Sequence, residues 1–101
     1  MIRHVVMWKF LEQAEGAPRE ENLRKAKTLL DDLPRRIPGI LEWDVGVNVV
    51  PSEQSHDLVL VSAFADASSL DAYQKHAEHQ RVVTFLRKVH RGRVVVDYER
   101  T

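Results

Sequence analysis

Nine consecutive residues, Ile2 to Phe10, constrain this chain more than any other feature, because they read as a β-strand that is apolar on both sides. Ile2, His4, Val6, Trp8 and Phe10 fall on one face, while Val5 and Met7 fall on the other. A strand of this kind has to be covered twice. The run Leu58 to Phe64 makes the same demand.

The helical segments can meet only half of it. Leu23, Ala26, Leu30 and Leu33 recur at helical spacing with Leu29 beside them, and Arg24, Lys25, Lys27 and Asp31 lie elsewhere on the wheel. That is one apolar stripe, enough for one surface. A loop over Gln13 to Pro18, with Gly16 as breaker and Pro18 suited to a first helical turn, leads into this helix; Pro34 and Pro38-Gly39 end it. A second helix, capped by Asp66 or Ser68, runs through Leu70, Tyr73 and Ala77. Its pattern resumes through Val82, Val83, Phe85, Leu86 and Val89, as one helix or as two pieces.

Two further strands complete the order. One spans about Ile40 to Val50, with Leu41, Trp43, Val45, Val47 and Val49 opposing Glu42, Asp44, Gly46 and Asn48. Pro51 to His56 reads as a polar hairpin connection, and the last strand, Arg93 to Glu99, follows Gly92. The sequence β-α-β-β-α-β predicts an α+β, ferredoxin-like domain with a four-stranded antiparallel sheet and helices on one face. The other face is apolar without cover, which on a small domain points to an interface or a ligand cavity.

At 101 residues a single domain over 1–101 is expected, and a chain this short gains core by pairing with a partner subunit. Its 15 basic and 15 acidic residues cancel, leaving no overall field for a phosphate backbone or an anionic membrane, so neither nucleic acid nor membrane is an expected partner. The local group Arg87, Lys88, Arg91 and Arg93 has no interleaved aromatics and reads as a solvated helix end and strand start. Without cysteine there is no disulfide framework, thiolate chemistry or sulfur-ligated metal. No long uncharged apolar run opens the sequence, so a cytoplasmic location is expected.

Candidate chemistry lies in His4, in the run Tyr73-Gln74-Lys75-His76-Ala77-Glu78-His79, and in Asp97. Tyr73 and His76, and again His76 and His79, share a helical face at i,i+3. With an ordinary pKa of about 6.5, a desolvated His79 can move a proton while the Tyr73 hydroxyl holds a substrate oxygen. The alternative is that Tyr73 is an amphipathic core residue and the histidines are solvated. A metal would draw on His76, His79 and either Glu78 or Asp97, a poor fit because single-helix zinc pairs favour i,i+4 and Glu78 is rotated away. In mid-strand, His4 is expected to be buried and hydrogen-bonded, with Asp97 as a candidate partner. Trp8 and Trp43 are expected to pack first and to wall a cavity second.

Several blocks in order resemble the stress-responsive dimeric α/β-barrel (Dabb) family: Ile2-Arg3-His4-Val5-Val6-Met7-Trp8-Lys9-Phe10, Ile37-Pro38-Gly39-Ile40, the stretch from His56-Asp57-Leu58-Val59 through Tyr73-Gln74-Lys75-His76-Ala77-Glu78-His79-Gln80, and Val94-Val95-Val96-Asp97-Tyr98-Glu99. The resemblance spans nearly the whole chain. It implies a homodimer whose two sheets face each other as a barrel, with helices outside and a cavity between sheet and helix in each subunit. A plant polyketide cyclase of the family performs a cofactor-free aldol condensation, and its Tyr-x-x-His-x-x-His pattern falls on Tyr73, His76 and His79.

By that likeness the catalytic pair is Tyr73 and His79, with His79 as general base, and the substrate-binding set is His4, Trp8, His76 and Asp97. No metal and no cofactor is expected. The chain departs from the cyclase at Ala77, where a proline is usual, so the helix need not break; at Leu58, where the cyclase has a histidine; and at Trp8, which narrows the cavity. The functional expectation is a small-molecule-binding family member with His/Tyr acid-base chemistry. The alternatives are a non-enzymatic stress or structural homodimer and, by the related superfamily, a cofactor-free monooxygenase.

Overall fold

The computed structural model describes residues 1–101. Strand β1 (Ile2–Phe10) leads into a small hairpin, β2 (Gln13–Ala14) and β3 (Ala17–Pro18), then helix α1 (Arg19–Asp31) and a single 3-10 turn, Leu33–Arg35. Strands β4 (Ile40–Val47) and β5 (Leu58–Phe64) follow, then helices α2 (Ala67–Lys75) and α3 (Ala77–Val89), and finally β6 (His90–Glu99). The main sheet is ordered β4-β5-β1-β6 with every pair antiparallel, which is the ferredoxin-like arrangement.

The register puts His4, Val6 and Trp8 of β1 on the same face as Leu58, Leu60, Ser62 and Phe64 of β5. This face carries the helices, and all seven of these side chains are buried. Leu23, Ala26 and Leu30 of α1 meet them, as do Leu70 and Tyr73 of α2 and Val82, Leu86 and Val89 of α3. The predicted loop before α1 is a tight hairpin instead. Glu15 (φ 51) and Gly16 (φ 73) both adopt the left-handed conformation that a two-residue turn requires. The buried Asn22 amide donates to the Ala14 carbonyl at 2.9 Å, fastening that hairpin to α1.

Three boundaries differ from those expected. Strand β4 ends at Val47 rather than Val50, and a bulge between Ile40 and Glu42 turns Leu41 out to solvent. Strand β6 starts three residues early, because the chain passes from Val89 to His90 with no loop. The third concerns the helix that need not break without proline: it does break. His76 (ψ 137) is extended, ends α2, and accepts the Glu78 N–H on Nδ1 at 3.1 Å, so a histidine serves as the N-cap of α3. At the other end of α2 the expected cap forms at Asp66, which accepts the Ser69 N–H at 2.8 Å.

The opposite face carries no helix. Val5 and Met7 of β1, Val59 and Val61 of β5, and Val94 and Val96 of β6 share it, with Val96 60% exposed. The Arg3–Glu42 ion pair, at 2.7 Å, spans β5 at one end of this face over Ala63. No helix is long and apolar enough to cross a membrane.

Candidate functional site

A cavity of about 270 Å³ opens between the helices and the β1–β6 side of the sheet. Val6 and Trp8 of β1 and Leu60 of β5 line its sheet side, and Leu30, Tyr73 and Leu86 line its helix side. Apolar and polar side chains share its walls in nearly equal number, so a ligand there would meet both an apolar surface and several convergent polar groups.

Tyr73 is the largest fully buried side chain and sits at the centre of an aromatic cluster. Its ring lies 4.9 Å from Phe64, 5.9 Å from Trp43, 6.2 Å from His4 and 4.4 Å from His79, centroid to centroid. Burial pushes its phenol well above the ordinary 10.0, against a smaller opposing effect of the Arg93 charge. The hydroxyl therefore stays protonated and can donate to an oxygen.

His79 lies in the first turn of α3, directly after the break at His76. Its Nδ1 is 3.0 Å from the Gln74 carbonyl oxygen, which can only accept, so Nδ1 carries the proton and Nε2 has the free lone pair. Burial lowers its pKa below 6.5; the Gln74 bond works the other way, and the charges of His4, Arg93 and His76 reinforce burial. At neutral pH the ring is a neutral base beside a protonated phenol. The break in the helix is what permits the bond to Gln74, since a continuous helix would commit that carbonyl to its own ladder.

His4 is 2% exposed and stands directly across the ladder from Asp97. Its Nδ1–H donates to the Asp97 carboxylate, fixing the ring as carboxylates fix histidines elsewhere. The backbone carbonyl of His4 accepts the Ser62 hydroxyl at 3.0 Å, so strand and side chain are both held. A second Nε2 thus faces away from its anchoring carboxylate in a ring that borders the cavity.

Of the residues singled out from sequence, Tyr73, His79, His4 and Trp8 all line the cavity. Asp97 does not, and reaches it only through His4. His76 does not line it either: its side chain is occupied in capping α3. No three histidine or carboxylate side chains converge in metal-binding geometry, so His76, His79, Glu78 and Asp97 form no such group. Trp43 packs against Tyr73 outside the cavity.

Sequence reasoning missed Gln80 and His90, which also border the cavity, gave Gln74 no role of its own, and did not connect two residues of the basic group with the cavity. Arg87 and Arg93 are exposed at a helix end and a strand start, as expected, and both also stand at the cavity wall. Their signal was present as a local excess of positive charge, without anything to show that it faced a cavity.

No functionally curated protein matches this chain. A dimeric ferredoxin-like protein of unknown function from Bacteroides fragilis NCTC 9343 superposes with a TM-score of 0.84 at 27% identity, covering 98% of this chain and 95% of its own. A dimeric ferredoxin-like protein of unknown function from Jannaschia sp. CCS1 has 30% identity and a TM-score of 0.75, covering 98% of each. A hydroxynitrile lyase from Passiflora edulis shares the fold, with a TM-score of 0.80 at 15% identity over 96% of this chain and 90% of the lyase. The model of the stress responsive A/B barrel domain matches residues 2–100, and with the sheet order and helix placement described above this chain belongs to that family.

Proposed function

We propose that the chain works as a homodimer and binds a small organic molecule in the cavity, where His79 and Tyr73 carry out cofactor-free acid-base chemistry. The observation that carries this reading is the state of His79: its Nδ1 proton is committed to Gln74, its pKa is lowered by burial, and its ring lies against a buried tyrosine. Nε2 removes a proton from a carbon next to a carbonyl. The electron pair of that C–H bond passes to the carbonyl oxygen, which the Tyr73 hydroxyl stabilises by hydrogen bonding. The resulting enolate takes the proton back from His79 or forms a carbon–carbon bond to a second carbonyl of the same molecule, whose π electrons pass to its oxygen, which then takes the proton from His79. His4, anchored by Asp97, positions the oxygen end of the substrate, and Trp8 limits its size.

The homodimer follows from the open sheet face. Six apolar side chains of β1, β5 and β6 face solvent together there, and an identical sheet laid against them would bury both sets. The Bacteroides and Jannaschia neighbours are themselves described as dimeric. The lyase from Passiflora edulis is an enzyme on the same architecture, which supports catalysis in general and no particular substrate.

Proton exchange into D2O at the α-carbon of a series of aryl methyl ketones, followed by proton NMR, tests the chemistry. The wild-type protein is expected to accelerate exchange of at least one ketone, and H79A to lose about 10²- to 10⁴-fold of that rate with its fold and dimer intact. Exchange that is equally fast in H79A, or absent across the series, would refute the acid-base reading and leave the dimer itself as the functional product.

A further inference from the structure

The polar side of the cavity is one-sided in charge. Its lining includes Arg87 and Arg93 and contains no aspartate or glutamate. Neither arginine is in an ion pair, although the chain forms six arginine–carboxylate contacts elsewhere, involving Arg3, Arg35, Arg36, Arg81 and Arg100. In a protein whose charges sum to zero, two unpaired, exposed guanidinium groups at the rim of one cavity are a local arrangement rather than a by-product of composition.

The fold explains how they come together. Arg87 lies in the last turn of α3 and Arg93 on β6 opposite Trp8, and the chain joins the two elements directly through His90. His90 borders the cavity between them, and its Nδ1 is buried without a hydrogen-bond partner. The Arg93 charge reaches both members of the candidate pair, opposing the upward shift of Tyr73 and adding to the downward shift of His79. Arg93, Tyr73 and His79 line the same cavity, so an anion held at Arg93 would share the chamber with the groups that do the chemistry. Planar guanidinium groups match a carboxylate in shape as well as charge.

We infer that the cavity takes a small monocarboxylate, its carboxylate held at the wall by Arg93 with Arg87 beside it and its apolar body directed inward toward Trp8, Leu60 and Tyr73. At protein-like packing density the volume accommodates roughly a dozen non-hydrogen atoms, the size of an arylalkanoic acid. Such a ligand is oriented from its charged end, so that the carbon chain rather than the carboxylate meets His79. This substrate class rests on the reading of the cavity as a ligand site.

Trp8 in the cavity wall supplies a fluorescence readout. The full chain is titrated with 3-phenylpropanoate, with its primary amide 3-phenylpropanamide, and with 3-phenylpropylamine, at low and high salt. The acid is expected to bind about tenfold or more tightly than the amide, to weaken with salt, and to exclude the amine. R93Q should abolish the preference for acid over amide, and R91Q, at an exposed arginine outside the cavity, should keep it. Equal binding of acid and amide, or a preference that survives R93Q, would overturn the carboxylate inference while leaving the cavity reading in place. Failure of all three probes to bind would overturn both.

Discussion

Two substitutions at Tyr73 separate its packing from its chemistry. Tyr73 is 1% exposed and contacts four other rings, so Y73A removes a whole aromatic side chain from the middle of the core. Comparable large-to-small core changes cost about 3–5 kcal/mol, against a total stability of about 5–15 kcal/mol for a domain of ordinary size. Y73A should therefore lower the urea midpoint severely or fail to fold. Y73F keeps the ring and removes only a hydroxyl on which burial and the Arg93 charge are the two influences, with no hydrogen bond among them. Its stability should lie within roughly 1 kcal/mol of wild type, because loss of a partly desolvated hydroxyl without an internal partner can even be favourable. Its rate of ketone exchange, by contrast, should fall about 10²-fold, the usual effect of removing one donor to a developing oxyanion. Urea denaturation followed by far-UV circular dichroism gives the first quantity and NMR exchange the second. If Y73F is destabilised as far as Y73A, the hydroxyl is a structural group; if Y73F keeps the full rate, Tyr73 is not the oxygen partner. Either result would refute the role assigned to it.

Three further outcomes follow from the same geometry. His79 and His90 both have pKa values lowered chiefly by burial, so the unfolded chain binds more protons than the folded one below about 6.5; stability should be fully present above that pH and decline as pH falls toward the folded-state pKa values, and H79Q should make a plot of urea midpoint against pH flatter between pH 5 and 7. On the open face of the sheet, V96D places a carboxylate where the proposed partner sheet would lie and should convert the dimer to a monomer in light scattering; an unchanged mass would place the interface elsewhere. H76A removes the cap of α3 and should cost about 0.5–2 kcal/mol, whereas H76N, which offers another acceptor to the Glu78 N–H, should restore most of it; equal loss in both variants would argue against capping.

The parts of the fold that were legible in sequence are those fixed by short-range periodicity. Alternation in Ile2–Phe10 and Leu58–Phe64 assigned each side chain to a face, and the register bears that out: His4, Val6 and Trp8 lie under the helices while Val5 and Met7 lie on the open side. The misplaced boundaries share a cause, which is chemistry that propensity does not register. Nothing around His76 is a recognised breaker, yet its imidazole nitrogen accepts a backbone N–H as an aspartate would, and that single bond ends one helix and starts another.

The candidate site was legible as a set of residue types but not as a chamber. Tyr73 and His79 come from one stretch of sequence, and six residues along a continuous helix would set them about 120° apart around its axis. The break at His76 turns α3 so that the two rings approach to 4.4 Å, and a proline in place of Ala77 was not needed for it. His4 and Asp97 meet for a different reason: they lie 93 residues apart and are joined only by the pairing of β1 with the edge strand β6. The same pairing sets Arg93 opposite Trp8 and so brings a residue that looked like solvated charge to the wall of the cavity. Local pattern therefore names the groups able to hold a proton, whereas long-range register decides which of them share a chamber and what charge a ligand must carry to join them.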